Sequence, residues 1–231
     1  LNIFLFASLA SRNADARNAQ QQARTELSAL FAQEGITLSP ALKLPESPSA
    51  LLTLSRDTAE DAKLASALLG TVSEDDEGGG IYRYRGENGT ALFRSGGAFD
   101  LTMDLSVENP EAYCNKFFKA FDYRDTVVSL ADGSGTITAT QYFQKRPVVN
   151  ATVTFSFLDG RLYSVVGHHF PAKYSSETPI KALSALSALS CFLQKCKETD
   201  ADRHSVHSIA PGFSLQSTPA TPLALVPVWC I

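Results

Sequence analysis

The sequence predicts an α+β fold: two related units, each with helices packed on an antiparallel sheet, preceded by a long N-terminal helix. Three observations lead there. Segments of helical spacing and segments of strict alternation follow one another as helix, strand, helix, several strands, then helix and strands, with few parallel crossovers implied. Turn pairs sit between alternating runs: Asn88-Gly89, Asp132-Gly133 and Asp159-Gly160. Between residues 98 and 105, Phe99, Leu101, Met103 and Leu105 alternate with Asp100, Thr102 and Asp104, as expected of a sheet covered on one side only.

The elements follow in chain order. Residues 11–34 are rich in Ala, Gln and Arg, and Ala16, Ala19, Ala23, Leu27, Leu30 and Phe31 recur near helical spacing, so a long helix is expected, stopped at Gly35. Ile36-Thr37-Leu38 and Leu51-Leu52-Thr53-Leu54 suit short strands, separated by a loop with Pro40, Pro45 and Pro48. Asp57 or Thr58 can cap a helix that ends before Gly70. Residues 74–80 (Glu-Asp-Asp-Glu-Gly-Gly-Gly) lack the alternating ligand spacing of a calcium loop and read as a solvated turn. A hairpin over residues 81–94 follows, then the strand over 98–105. Asn109-Pro110 opens another helix, with Tyr113, Phe117, Phe118 and Phe121 on its apolar side. Strands are expected over 126–130, 135–143, 148–157 and 161–167, a helix over 179–197, and last strands over 205–209 and 223–231.

These elements organise as an apolar start at residues 1–10, an N-terminal unit over 11–106 and a C-terminal unit over 107–231, joined near residues 106–109. The first ten residues carry no charge, but a bilayer crossing needs roughly 20 apolar residues. They read as the outer half of a membrane helix. A buried N-terminal helix or strand, or the core of a signal peptide, are the alternatives. Of 231 residues, 44% are hydrophobic and 19% charged, and the formal net charge is −4. That balance excludes the basic surplus of a nucleic-acid binder. Any membrane link must come from the N-terminus.

The residues that usually carry chemistry form no recognisable constellation. Cys114, Cys191, Cys196 and Cys230 allow three disulfide pairings and match no zinc spacing; reduced or partly buried thiols are favoured. His168 and His169 point to opposite faces of a strand, as do His204 and His207 if extended, so ordinary surface or half-buried histidines are expected rather than metal ligands. Ser95-Gly96-Gly97 and Gly78-Gly79-Gly80 sit at turns rather than before a helix, so neither cradles an anion. Asn88-Gly89-Thr90 and Asn150-Ala151-Thr152 match the glycosylation pattern but fit a turn and a strand without modification. Trp229 is expected to pack in the final strand. The expected sets of catalytic, cofactor-binding and metal-binding residues are therefore empty, no cofactor is expected, and the chain reads as a non-enzyme.

Several stretches together resemble the YycI/YycH family of membrane-anchored regulators of a cell-wall two-component system in low-GC Gram-positive bacteria, and YycI more than YycH. They are Leu1-Asn2-Ile3-Phe4-Leu5-Phe6, Leu30-Phe31-Ala32-Gln33-Glu34-Gly35-Ile36, Arg56-Asp57 with Leu68-Leu69-Gly70, and Gln141-Tyr142-Phe143 with Arg146 through Phe155. Asp159-Gly160, Val166-Gly167, residues 209–213 and residues 225–229 continue the likeness. The chain departs from the pattern by stopping at Ile231, where members run on into a further hairpin. The resemblance implies a single-pass protein with an extracytoplasmic α+β part that modulates a sensor histidine kinase through protein contacts. The implied partners are that kinase and a sister YycH-like regulator, with a homodimer also admitted and no catalytic residues to carry over. The competing reading is an extracellular ligand-binding, peptide-binding or inhibitor module, which a groove lined by Tyr82, Tyr84 and Phe93 would favour. An enzyme would need a pocket with a histidine bonded to a serine and a carboxylate.

Overall fold

The computed structural model describes residue 18 and residues 21–46, 50–170, 174–199, 204–218 and 221–231. The apolar start at residues 1–10 lies outside them. Among the described residues no helix is long and apolar enough to cross a membrane. The protein is mostly β, with 49% of residues in strands and 26% helical, and this overturns the α+β expectation. In place of two related units on antiparallel sheets there is one mixed sheet of 12 strands and a two-stranded ladder. The chain does divide into two compact units, but differently from the sequence reading. One comprises the described parts of Leu1–Pro48, Lys181–Pro211 and Trp229–Ile231; the other comprises Ser49–Ile180 and Gly212–Val228. The junction expected near residues 106–109 falls inside the second.

The first unit is small. Helix α1 covers residues 21–33, and no long N-terminal helix is evident. It ends where the sequence says it should. Gly35 takes φ +73°, the Gly35 amide donates to Ala32 O at 3.1 Å, and the Ile36 amide donates to Phe31 O at 2.9 Å. This reversal satisfies carbonyls that the last turn leaves open. Strand β1 (Thr37–Leu38) pairs in parallel with the distant β12 (Ser205–Val206). Helix α4 (Ala185–Thr199) starts six residues later than Pro179. The Ser184 hydroxyl accepts from the Ser187 amide at 3.1 Å, which supplies the N-terminal cap that Pro179 has no side chain to provide. Phe31, Ile36, Leu189, Leu193 and Val206 form the core, and Phe31 stacks on Phe192 at 6.4 Å. Trp229 donates its indole N–H to Leu183 O at 3.0 Å.

The second unit holds the large sheet. Its strands are β2 (Ala50–Leu54), β3 (Ser73–Gly78), β4 (Ile81–Gly86), β5 (Gly89–Phe93), β6 (Ala98–Ser106), β7 (Tyr123–Ala131), β8 (Ser134–Phe143), β9 (Arg146–Leu158), β10 (Arg161–His168), β11 (Tyr174–Pro179), β13 (Ala210–Thr218) and β14 (Thr221–Cys230). The hydrogen-bonded order is β11-β2-β14-β13-β9-β10-β6-β5-β4-β3, with β8 also on β9 and β7 on β8. Three strands depart from the sequence reading, among them β13, which lies between the strands expected over 205–209 and 223–231. Residues 73–78, expected as a solvated turn, form an edge strand because Arg83 and Arg85 across the ladder pair with Glu77 and Asp75. Residues 174–179 form the opposite edge on β2, too polar to read as a strand and closed by a proline that an edge tolerates.

Helices α2 (Thr58–Leu69) and α3 (Pro110–Ala120) pack on one face of this sheet. Asp57 caps α2 by accepting from the Ala59 amide at 3.0 Å, and Asn109 caps α3 by accepting from the Ala112 amide at 2.9 Å. Between them and the sheet, Phe155 meets Phe117 at 5.2 Å and Phe118 at 5.5 Å. Burying each such ring contributes roughly 1.5–3 kcal/mol.

Two glycines with positive φ separate conformation from crowding. Gly35 has open space where a Cβ would stand, whereas at Gly89 (φ +147°) a Cβ would fall 2.2 Å from Thr102 O. Gly35→Ala should cost about 1 kcal/mol, the strain of a left-handed residue alone. Gly89→Ala should cost about 3 kcal/mol or more, because the β5–β6 ladder must also shift. Urea unfolding of both variants, with equal losses, would contradict this account.

Candidate functional site

Across β5 to β10, the sheet face away from α2 and α3 carries small polar and exposed apolar side chains among the described residues. Strand registers place Ser129, Thr136, Ser156, Ser164, Thr102 and Thr90 opposite one another across six strands. The next rung, one pleat along, runs Val127, Thr138, Thr154, Val166, Asp100 and Leu92. Thr138 and Thr154 share a hydroxyl hydrogen bond of 3.0 Å across β8 and β9. Because side chains alternate, this face is the necessary complement of the buried one: Ile137, Phe155, Val165 and Leu101 point into the core from the positions between. Apolar side chains stand among the hydroxyls and remain open, with Val127 64% exposed, Leu158 58% and Val166 51%.

On the covered side, a pocket of about 300 Å³ opens among the start of α2, the end of α3, the β8–β9 turn and the residues after β10. Asp57, Glu60 and Lys63 line it from α2, Phe121 and Asp122 from the end of α3, and Gln141, Tyr142, Phe143 and Gln144 from β8 and its turn. His169 and Phe170 close it. Asp122 (φ +56°) and Gln144 (φ +49°) sit in left-handed turns, which short or flexible polar residues tolerate best.

His169 continues the inward alternation of Val165 and Gly167 and is only 6% exposed. Its ring stands edge-on to Phe121 at 5.6 Å. The Gln141 amide nitrogen lies 3.2 Å from His169 Nδ1 and donates to Phe170 O at 3.4 Å. An amide nitrogen only donates, so Nδ1 accepts and the ring hydrogen sits on Nε2. That Nε2 and the Gln141 carbonyl oxygen are buried polar atoms without a hydrogen-bond partner in the protein. Burial first, and the Lys63 ammonium second, push the His169 pKa down to about 4, so the ring is neutral at pH 7.

This histidine is the feature that the sequence reading missed: both His168 and His169 were expected at the surface or half-buried, and His169 is buried. The signal was available in the period of two from Val165 through Gly167 to His169. His207, by contrast, is exposed and bonded to the Ser205 hydroxyl at 2.8 Å. Tyr84 and Phe93 are fully buried, so the aromatic groove that would favour a ligand module does not form from them. Asn150 is held at both ends by Leu215, donating to its carbonyl at 2.8 Å and accepting from its amide at 2.7 Å, so it serves the fold rather than a glycan. The four cysteines are free thiols; Cys114 and Cys196 are buried and Cys191 is exposed. Among the described residues no three His, Cys, Asp or Glu side chains gather where they could hold a metal ion.

Chemically, the pocket offers hydrogen bonds and charge more readily than covalent catalysis. No Ser, Thr or Cys lines it, and the partner of His169 is an amide rather than a carboxylate.

No family model matches the chain. No curated protein matches it either. A solved structure of an uncharacterized protein from Eubacterium rectale is similar, with a TM-score of 0.43 and 11% sequence identity, over 85% of this chain and 81% of that one.

The lowered pKa of His169 makes stability depend on pH. The unfolded chain takes up a proton near pH 6.5, while the folded chain resists until about pH 4. Stability from this group is therefore complete above pH 6.5 and declines as pH falls towards 4, by about 3 kcal/mol in all. Comparing His169→Phe with the parent in denaturant at several pH values isolates the effect, and the variant should lose that part of the slope. An unchanged slope would show that His169 titrates normally.

Proposed function

We propose that this chain is a non-enzymatic regulatory protein that works by binding other proteins through the open face of its sheet. The observation that carries the reading is the row of exposed Val127, Val166 and Leu158 among threonine and serine rungs. Exposed apolar side chains gathered on an open sheet face mark a surface suited to contact with another protein. The absence of a nucleophile around His169 supports a binding rather than a catalytic role.

The likeness to the YycI/YycH family supplies the partner class within this proposal. It is the sensor histidine kinase of a cell-envelope two-component system, together with a sister YycH-like regulator, met outside the cell by a protein held on a membrane helix. The second reading, a ligand- or peptide-binding module, draws its support from the pocket beside His169.

The test is co-expression with such a kinase and its sister regulator, followed by purification from membranes. The parent should retain one or both. Val127→Glu with Val166→Glu should lower recovery about tenfold by placing two carboxylates at the contact. Both positions are exposed, so the unfolding midpoint should stay unchanged. Failure of the parent to retain either partner, or full retention by the double variant, would count against the proposal.

A further inference from the structure

We infer that the outer edge of β7 pairs with the same edge of a second copy of this chain, antiparallel about a two-fold axis at Ser129, so that the large sheet runs on through a dimer. This contact uses the backbone edge of the sheet, whereas the partner proposed above meets its open face, so either can fail without the other.

Among the described residues the large sheet ends on three strands, β3, β7 and β11. An end strand leaves a row of backbone N–H and C=O groups without a ladder, and proteins guard such rows with charge, proline or irregularity. Strand β3 is guarded by the carboxylates of Glu74, Asp75, Asp76 and Glu77. Strand β11 carries Glu177, closes on Pro179 and is irregular between Tyr174 and Ser176. Strand β7 is guarded only at its start, where the ladder is irregular between Arg124 and Val127. From Thr126 to Ala131 it reads Thr-Val-Val-Ser-Leu-Ala, with no charge, no proline and no glycine. All of these residues are exposed except the half-buried Leu130, and a valine is open on each face of the strand: Val127 is 64% exposed and Val128 44%. A short, uncharged, β-prone segment on an open edge is the kind that pairs with another copy of itself.

The ladder fixes which backbone groups are free. Asp132 (φ +51°) and Gly133 (φ +76°) form a two-residue turn between the paired Ala131 and Ser134. Positive φ at both positions marks the I′ hairpin turn, which closes on a hydrogen-bonded pair. Bonded and non-bonded pairs alternate back from there. Val127, Ser129 and Ala131 therefore turn their N–H and C=O groups to β8, and Val128 and Leu130 turn theirs outward. With two copies antiparallel about Ser129, Val128 of each stands opposite Leu130 of the other, and their outward groups exchange hydrogen bonds. On the opposite face Val127 meets Ala131 of the second copy, and Ser129 meets Ser129. Apolar side chains thus meet apolar ones, and the charged Arg124, Asp125 and Asp132 lie beyond the paired positions. The rung through Ser129, Thr136 and Ser156 continues across the axis into the second copy. The contact is short, well under the roughly 800 Å² per partner of a standard interface, so a reversible dimer is expected, with a Kd on the order of 100 μM.

Sedimentation of the whole chain should show the average mass rising from one chain towards two between about 5 μM and 1 mM. Over that range amide exchange at Val128 and Leu130 should slow about fivefold, while Val127 and Ser129, already bonded to β8, change little. Ser129→Lys and Ser129→Glu each set like charges face to face across the axis and should weaken association about tenfold or more. An equimolar mixture of the two variants should recover it, because Lys then meets Glu. Ser129 is exposed, so neither change should move the unfolding midpoint. Ser176→Lys, on the β11 edge, should dimerise like the parent. A chain that stays single at about 1 mM overturns the inference. So does undiminished association of both Ser129 variants, a mixture no stronger than either variant alone, or an equal loss in Ser176→Lys.

Discussion

The large sheet depends on one strand. Strand β9 is 13 residues long, and β8 pairs along one of its edges from Arg146 to Phe157. The other edge is divided: β10 pairs with Val153 through Leu158, and β13 joins in parallel at Val148. Every path from β2, β11 and β14 to the β3–β6 meander crosses it. The same strand buries Val153, Phe155 and Phe157 in the core under α2 and α3, while Thr152, Thr154 and Ser156 go to the other side. A strand that joins two sets of neighbours and alternates strictly from Ala151 to Leu158 cannot slip by one residue, because a slip would put Phe155 in water and Thr154 in the core. The aromatic cluster of α3 locks the register further, since Phe117 and Phe118 both meet Phe155.

That alternation produces both surfaces on which the functional reading rests. One face is filled by helices, and at its margin, where α2 begins and α3 ends, the filling stops short and leaves the pocket beside His169. The other face keeps its hydroxyls and a few exposed valines. The two surfaces differ in chemistry. The open face is broad and nearly uncharged along its central strands, suited to another protein's surface. The pocket is narrow, lined by charged side chains from α2 and the end of α3, and closed by the buried His169 and Gln141.

Much of this was legible in the sequence, for reasons that are local. The Asp57 and Asn109 caps, the Gly35 stop, the Asp159-Gly160 turn and the one-sided alternation of β6 all depend on residues close in the chain, and all appear where the spacing put them, while the turn read at Asn88-Gly89 falls one residue earlier, on Glu87-Asn88. The parts that escaped depend on distant partners. Nothing in Ser-Glu-Asp-Asp-Glu-Gly indicates a strand until Arg83 and Arg85 stand opposite it. The edge at residues 174–179 exists because β2, more than a hundred residues earlier, offers it a ladder. For the same reason the fold class was misread: the pairing of β10 with β6 merges what the sequence separates at residues 106–109. The role of Gln141 was invisible for want of any motif, since its partner lies 28 positions away.

A sheet covered on one face only is the claim that everything else needs, and thiol labelling of adjacent positions on β10 tests it most directly. Val165 points into the core and Val166 to the open face. The exposed Cys191 and the half-buried Cys230 are first replaced by serine, while Cys114 and Cys196 are buried and Cys114 has its thiol pKa pushed up to about 12, so they add little background. The account predicts that a cysteine at Val166 reacts in the native state about as fast as a free thiol, while one at Val165 reacts only when the chain unfolds. Equal protection at the two positions would mean that both faces are covered, and equal reactivity that neither is.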